Sequence, residues 1–295
     1  MKKNYKNRFI NIILLFILVY YLLNNNLIID NVLDYSKLFL TRLFPVSFTF
    51  YIIIGLLIDY GIIEYINNSL HIKNINLFVY IISMINGYPS GAKYAKDLLD
   101  REIINLETAN KILMFSHFPN PLFITSTLNI IINNKTINRN ILLSLLLSNL
   151  IIMIIYSKKN YYTLNSNNNN DDFANNLIKE INNSFKTIII IYGTSLFFDL
   201  ISSMILNIFK FRGINYVIVC GLFDLTKGIY SSIIINNTFL RGLLILIFLS
   251  IGGISIHLQT KSILTNTKIK YKYFFYGRII GTILAIIIYL FLCTL

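Results

Sequence analysis

Long apolar runs that carry almost no charge recur along the chain. A helix needs about 20 residues to cross ~30 Å of hydrocarbon, and most of these runs approach that length. They are apolar on every side and lack the two-residue alternation of a barrel strand. The pattern predicts an all-α polytopic membrane protein with about seven spans, near residues 9–29, 43–63, 107–132, 140–156, 186–207, 240–262 and 274–295.

Two further apolar runs are too short to cross a bilayer. Residues 74–86 stop at a turn that contains Gly87, Pro89 and Gly91, and residues 215–222 stop at Asp224. Each run is followed by another moderately apolar helix. The pattern predicts two re-entrant hairpins, which enter the membrane and return on the same side.

Two of the long runs are interrupted by residues that break helices. Pro119 and Pro121 remove two backbone donors from the span at 107–132, and Gly252 and Gly253 permit unwinding of the span at 240–262. Close helix packing is the alternative explanation for the paired glycines.

The order of these elements repeats within the chain. Residues 36–156 and 186–295 each contain a span, a hairpin, an interrupted span and a span, and the two sets run in opposite directions through the membrane. We therefore predict an N-terminal membrane helix (1–35), a first repeat (36–156), a polar cytoplasmic linker (157–185) and a second, inverted repeat (186–295). Many secondary transporters have this layout, with the binding site near mid-membrane.

Composition and charge agree with a membrane protein. Of the residues, 55% are hydrophobic and 13% are charged, against about 25% charged in soluble domains. The net charge of +13 does not indicate nucleic-acid binding, because the basic residues flank the apolar runs instead of forming one patch. With the N-terminus inside, 18 of the 26 Lys and Arg residues fall on the inner side.

Signatures of catalysis and of cofactor binding are missing from the sequence. The chain has two cysteines and three histidines with no metal-ligand spacing, and it has no phosphate-binding glycine loop or nucleophile elbow. We predict that the protein is not an enzyme and that it holds no metal or cofactor.

The four interruptions carry the candidate chemistry. The helix after Pro89 would aim free N–H groups at the turn, which suits an anionic or polar ligand; the alternative is a plain surface turn with Lys93 snorkelling. Asp224 and Lys227 are spaced as an i,i+3 pair, either within a site or as a structural ion pair. The candidate ligand-binding residues are Asn86, Gly87, Pro89, Ser90, Gly91, Ser116, Asn120, Asp224, Thr226, Ser255 and Gln259, and the candidates for ion or proton coupling are Asp199 and Asp224.

Four segments resemble motifs of a known family. They are INGYPSGAK (85–93), FSHFPNPLF (115–123), GLFDLTKG (221–228) and SIGGISIHLQ (250–259). Over roughly residues 35–295 the chain resembles the YlbJ-type sporulation integral membrane proteins of the nucleoside-recognition, or Gate, domain family. His117 and Asp224 depart from the residues that are commoner there.

The resemblance implies a role in endospore formation, in particular assembly of the spore cortex, and distant kinship with concentrative nucleoside transporters. We expect a small polar solute, such as a nucleoside-like molecule, to be bound or moved at the repeat interface. The alternative is a non-transporting scaffold that recruits spore-envelope assembly proteins. Expected partners are the lipid bilayer, the solute, and further copies of the chain or spore-assembly proteins, in the cytoplasmic or forespore membrane.

Overall fold

The computed structural model describes residues 2–70, 75–157 and 172–294, and over these ranges the chain is helical with no β-strand. A π-helical turn, Phe39–Leu43, joins α2 to α3, and a short 3-10 turn, Ser232–Ile234, follows α12. The helices are α1 (Lys2–Leu23), α2 (Asn25–Leu38), α3 (Phe44–Asp59), α4 (Ile62–Leu70), α5 (Ile75–Asn86), α6 (Ser90–Asp100), α7 (Leu106–Phe115), α8 (Pro121–Ile131), α9 (Lys135–Tyr156), α10 (Phe173–Phe209), α11 (Gly213–Phe223), α12 (Leu225–Ser231), α13 (Thr238–Ile251), α14 (Gly253–Ile263) and α15 (Tyr271–Thr294).

Six stretches of helix among these residues are long and apolar enough to cross a membrane. They are α1, α2 with α3, α9, α10, α13 with α14, and α15. The all-helical, multi-pass architecture expected from the apolar runs is therefore confirmed. The remaining predicted span, 107–132, consists of the two short helices α7 and α8, because the chain leaves the helical conformation between Phe115 and Pro121.

One predicted boundary is wrong. The first span does not reach residue 29: α1 ends at Leu23, where the Asn24 side chain bonds the Tyr20 carbonyl at 2.8 Å, and α2 then begins. Within the segment 157–185, predicted as a polar linker, α10 begins at Phe173; residues 158–171 lie outside the described residues.

The early start of α10 has a physical reason that hydropathy cannot detect. Asn176, Glu180 and Ser184 recur every four residues and are buried on one face of the helix, so the packed positions are polar instead of apolar. The 37-residue helix is about 55 Å long, more than the hydrocarbon thickness. Its first turns therefore extend beyond the bilayer.

Helices from the two predicted repeats pack on one another. Helix α3 lies against α10, and α9 lies against α15. Helix α7 also contacts α15, while α13 contacts α9. These contacts enclose a core with large buried rings, including Tyr51, Tyr94, Phe118, Phe274 and Tyr289. Helix α1 stays at the edge, with most of its surface exposed.

Candidate functional site

Both hairpin tips, the first helix break and α14, the helix that follows the second break, meet around one cavity of about 70 Å³. The α5–α6 hairpin and the α7–α8 break form one side of the cavity. The α11–α12 hairpin and α14 form another, and α2, α3 and α10 close it. The lining residues are Tyr35, Phe39, Leu43, Ser47, Asn86, Gly87, Tyr88, Pro119, Asn120, Ile188, Ile191, Ser195, Asp224, Leu225, Thr226, Ile256 and Gln259.

The first hairpin tip is docked against the first helix break. Gly87 has a φ of 76°, and a Cβ added there would lie 2.5 Å from the backbone nitrogen of Asn120. Only glycine meets both the conformation and the close approach. The Asn120 Nδ2 donates to the Ile85 carbonyl at 2.7 Å and so caps the end of α5.

In the first turn of α6, two of the N–H groups that the sequence predicted to be free are bonded within the turn. The Ser90 N–H donates to the Gly87 carbonyl at 3.0 Å, and the Ala92 N–H donates to the Pro89 carbonyl at 3.1 Å. The turn itself satisfies these donors. Lys93 does not snorkel either: it is buried, and its Nζ lies 2.8 Å from the Asp97 carboxylate.

At the second hairpin tip, Asp224 caps the helix that follows it. Its Oδ1 accepts hydrogen bonds from the backbone N–H groups of Thr226 at 2.9 Å and Lys227 at 3.2 Å, and its Oδ2 accepts from the Ser255 hydroxyl at 3.1 Å. The predicted i,i+3 ion pair is wrong. The cap turns the Asp224 side chain toward the helix end, and Lys227 instead pairs with Asp199 on α10 at 3.0 Å.

The second break packs on the second hairpin. Gly252 and Gly253 both have positive φ, of 85° and 43°. A Cβ on Gly253 would lie 3.1 Å from the Gly221 carbonyl and 3.3 Å from the Phe223 carbonyl. The paired glycines thus serve both unwinding and close packing, the two explanations that the sequence left open.

Two amides in the cavity wall are buried with one end unpaired. The Gln259 Nε2 donates to the Ser195 hydroxyl at 2.9 Å, and the Asn86 Nδ2 donates to the Tyr94 hydroxyl. Both side chains are at most 1% exposed. Among the described residues, neither the Asn86 Oδ1 nor the Gln259 Oε1 has a hydrogen-bond partner.

The sequence-predicted residues divide into three groups. Those in the cavity wall are Asn86, Gly87, Asn120, Asp224, Thr226 and Gln259. Those in the layer behind it are Pro89, Ser90, Gly91, Ser116 and Ser255, where Gly91 packs on Ser116 and Ser255 holds Asp224. Asp199 lies apart from the wall, in its pair with Lys227. A ligand-binding or coupling role for any of them remains a prediction.

Sequence reasoning missed the part of the wall that comes from the long helices. Ser195 is a polar residue in an apolar helix, four positions before Asp199, and that signal was visible. Phe39 and Leu43 gave no such signal in the sequence, because they belong to a π-helical turn inside an apolar run. Such turns occur often at functional sites.

Arg278, one of the 18 basic residues that the predicted topology assigns to the inner side, is a buried cation. It is 2% exposed, in the second turn of α15. Its Nη1 donates to the carbonyls of His117 at 2.8 Å and Ser250 at 3.4 Å, and its Nη2 donates to the carbonyl of Met114 at 3.1 Å and to Asn149 Oδ1 at 2.9 Å. One side chain therefore binds the carbonyl ends of α7 and α13, next to both breaks.

A second polar cluster joins α3, α6 and α10 away from the cavity. The Arg101 guanidinium bonds the Asp59 carboxylate at 2.6 Å and lies 3.5 Å from the Glu180 carboxylate, while Lys179 bonds Asp59 at 2.9 Å. Asp59 is the last residue of α3 and belongs to this network.

No protein-family model, curated protein or solved structure matches the chain. The family resemblance therefore rests on its four motifs. Within the part of the chain that the structure describes, no three His, Cys, Asp or Glu side chains come together as a metal site.

Proposed function

We propose that this chain is a Gate-type sporulation membrane protein that binds or moves a small polar solute in the cavity between its two repeats. The solute is expected to be nucleoside-like, as the family resemblance implies. Movement would occur by alternating access, with one repeat rocking against the other around the site.

The observation that carries this proposal is that both hairpin tips, the first helix break and α14, which follows the second break, converge on one cavity. Helix breaks and hairpin tips expose backbone groups, which is tolerated at membrane depth only where they are buried in protein or line a cavity. A protein that only recruits others has no need for Asn120, Asp224 and Gln259 to face the same space.

Helix packing supports an inverted repeat. The two opening helices, α3 and α10, contact each other, as do the two closing helices, α9 and α15. Each of the broken helices α7 and α13 contacts both closing helices, α9 and α15. Such reciprocal contacts are expected when two similar units are related by a pseudo-two-fold axis.

Polar contacts between loops support the proposed topology, with the N-terminus inside. On the proposed inner side, Arg101 meets Asp59, and the Lys270 N–H donates to Asn110 at 2.8 Å. On the proposed outer side, Arg241 donates to the Ile131 carbonyl at 2.6 Å. Removing the buried Arg278 from the inner charges leaves 17 against 8, so the positive-inside bias persists.

Binding and uptake of labelled nucleosides by the full chain in proteoliposomes test the proposal. We expect saturable binding that falls at least about tenfold when Asn120, Asp224 and Gln259 are each replaced by Ala, since each loses a polar contact in a desolvated site. The exposed Asn236→Ala is the matched control and should bind as the native chain does.

A scaffold would give a different result in cells. If the protein with all three alanine replacements is present at native levels and spores still form normally, the solute site is not needed and the scaffold function is favoured. Loss of spore formation, with Asn236→Ala normal, supports the site.

A further inference from the structure

Three side chains of the cavity wall, Asn86, Gln259 and Asp224, hold oxygens that can accept further hydrogen bonds. The amide nitrogens of Asn86 and Gln259 are used by Tyr94 and Ser195, which leaves the two amide oxygens free. The Asp224 Oδ1 accepts two backbone N–H groups, which favours the carboxylate form, and its Oδ2 lies 3.1 Å from the Ser255 hydroxyl. A carboxylate oxygen can accept more than one bond, so this group also has acceptor capacity toward the cavity.

No basic side chain is among the residues that line the cavity. The cations nearest to it have partners elsewhere: buried Lys93 pairs with Asp97, partly exposed Lys227 pairs with Asp199, and buried Arg278 donates to backbone carbonyls and to Asn149. At the second hairpin tip, the first N–H groups of α12 are capped by Asp224. The wall therefore holds one carboxyl group and no basic side chain.

The rest of the wall suits an organic cation better than a metal ion. The rings of Tyr35, Phe39 and Tyr88 line the cavity, and aromatic faces attract ammonium groups. Ile188 and Ile256 add aliphatic surface for a carbon skeleton. A volume of about 70 Å³ is several times the ~10–15 Å³ that one water-sized occupant requires.

We infer that the solute carries a protonated amine, which donates to Asp224, the Asn86 Oδ1 and the Gln259 Oε1, and that the cavity excludes anionic solutes. An ammonium group has three N–H donors, one for each of these acceptors. The inference rests on the proposed binding of a small polar solute in this cavity, and it replaces the neutral nucleoside-like solute of that proposal by one that carries an amine.

Three probes of matched size test this inference. 4-Amino-1-butanol, 1,4-butanediol and 4-hydroxybutyrate share a four-carbon chain and a hydroxyl and differ in the charge of the other end. Isothermal titration of the purified full chain should show the amine binding at least about tenfold tighter than the carboxylate, a ratio that one charge interaction in a partly dry site supplies.

Two variants and one control assign the preference to the cavity. Asp224→Asn keeps an N-cap residue but removes the charge, and should bring amine and diol to within about twofold of each other. Gln259→Glu adds a carboxylate at a second acceptor and should strengthen amine binding, which keeps the test decisive if Asp224→Asn fails to fold. Glu107→Gln also removes one negative charge, at an exposed site far from the cavity wall, and should leave the ratio unchanged.

The outcomes separate this inference from the proposed function. Tighter binding of the diol or the carboxylate, or saturation of the site by Na⁺ alone, overturns the amine inference. If nucleosides bind and the amine does not, only the inference fails. If neither nucleosides nor any of the three probes bind, both fail.

Discussion

At the scale of single residues, buried polar side chains hold the broken helices in place. Arg278 donates to carbonyls at the ends of α7 and α13, where helix dipoles leave negative partial charge. The structure gives it no carboxylate partner among the described residues. Its role is that of a cap for two helix ends at once, which requires the fork geometry of a guanidinium.

Replacing Arg278 with Met should destabilise the protein by about 3 kcal/mol or more, because several buried carbonyls lose their donor and each unsatisfied group costs about 1–3 kcal/mol. Arg278→Lys keeps the charge but cannot reach both helix ends, so it should also be destabilised. Denaturant unfolding in detergent measures both. Arg139→Met, at an exposed position on α9, is the control. Native-like stability of Arg278→Met would rule out the capping role.

At the scale of helices and hairpins, each hairpin tip is seated on the broken helix of its own half. Gly87 approaches Asn120 in the first half, and Gly253 approaches the carbonyl end of α11 in the second. The residues at these two packing contacts lie next to the cavity wall. A shift of one hairpin tip therefore moves several lining groups together. Backbone conformation at the tips therefore controls the shape of the site.

Gly87→Ala should lower the free energy of unfolding by about 2 kcal/mol or more. A residue with a Cβ is strained at positive φ, and this Cβ would also clash with the Asn120 backbone. Solute binding should weaken with it. Gly193→Ala, on α10, is a matched control: nothing lies within 4 Å of its added Cβ, and alanine in a helix is favoured over glycine by up to about 1 kcal/mol. Thermal unfolding of the two variants gives the comparison, and equal effects would contradict the close-packed tip.

At the scale of the whole molecule, the proposed topology assigns every loop to one side. The contacts of Arg101 and of Lys270 join segments assigned to the inside, and those of Arg241 join segments assigned to the outside. A chain whose loops were sorted differently would have to carry these polar contacts across the bilayer, which the hydrocarbon does not permit.

Accessibility of single cysteines to a membrane-impermeant thiol reagent checks the topology. In a background where Cys220 and Cys293 are replaced, Asn236→Cys should be labelled in intact cells. Lys268→Cys should be labelled only after the membrane is opened. Both positions are exposed in loops that flank α13 and α14. The reverse pattern would invert the topology, and labelling of both in intact cells would rule out a crossing between them.

The sequence by itself determined that this is an all-helical, multi-pass protein, and it located the interruptions. The effects of apolar runs, prolines and paired glycines are local. A long run indicates a membrane helix because its own side chains are apolar, and Pro119 breaks a helix whatever surrounds it. For the same reason the sequence could name Asn86, Asn120, Asp224 and Gln259 as candidates.

Only the tertiary structure decided what these groups bind and what else joins them. Hydrogen-bond partners come from distant segments, so no local pattern could show that Asp224 caps α12, that Lys227 pairs with Asp199, or that Arg278 is buried between two helix ends. Hydropathy could not predict that the first turns of α10 pack through a polar face, because a hydropathy scale scores Asn and Glu as solvent-exposed residues. Burial and partner choice are properties of the assembled helices, and they bring both hairpin tips, the first break and α14 to one cavity.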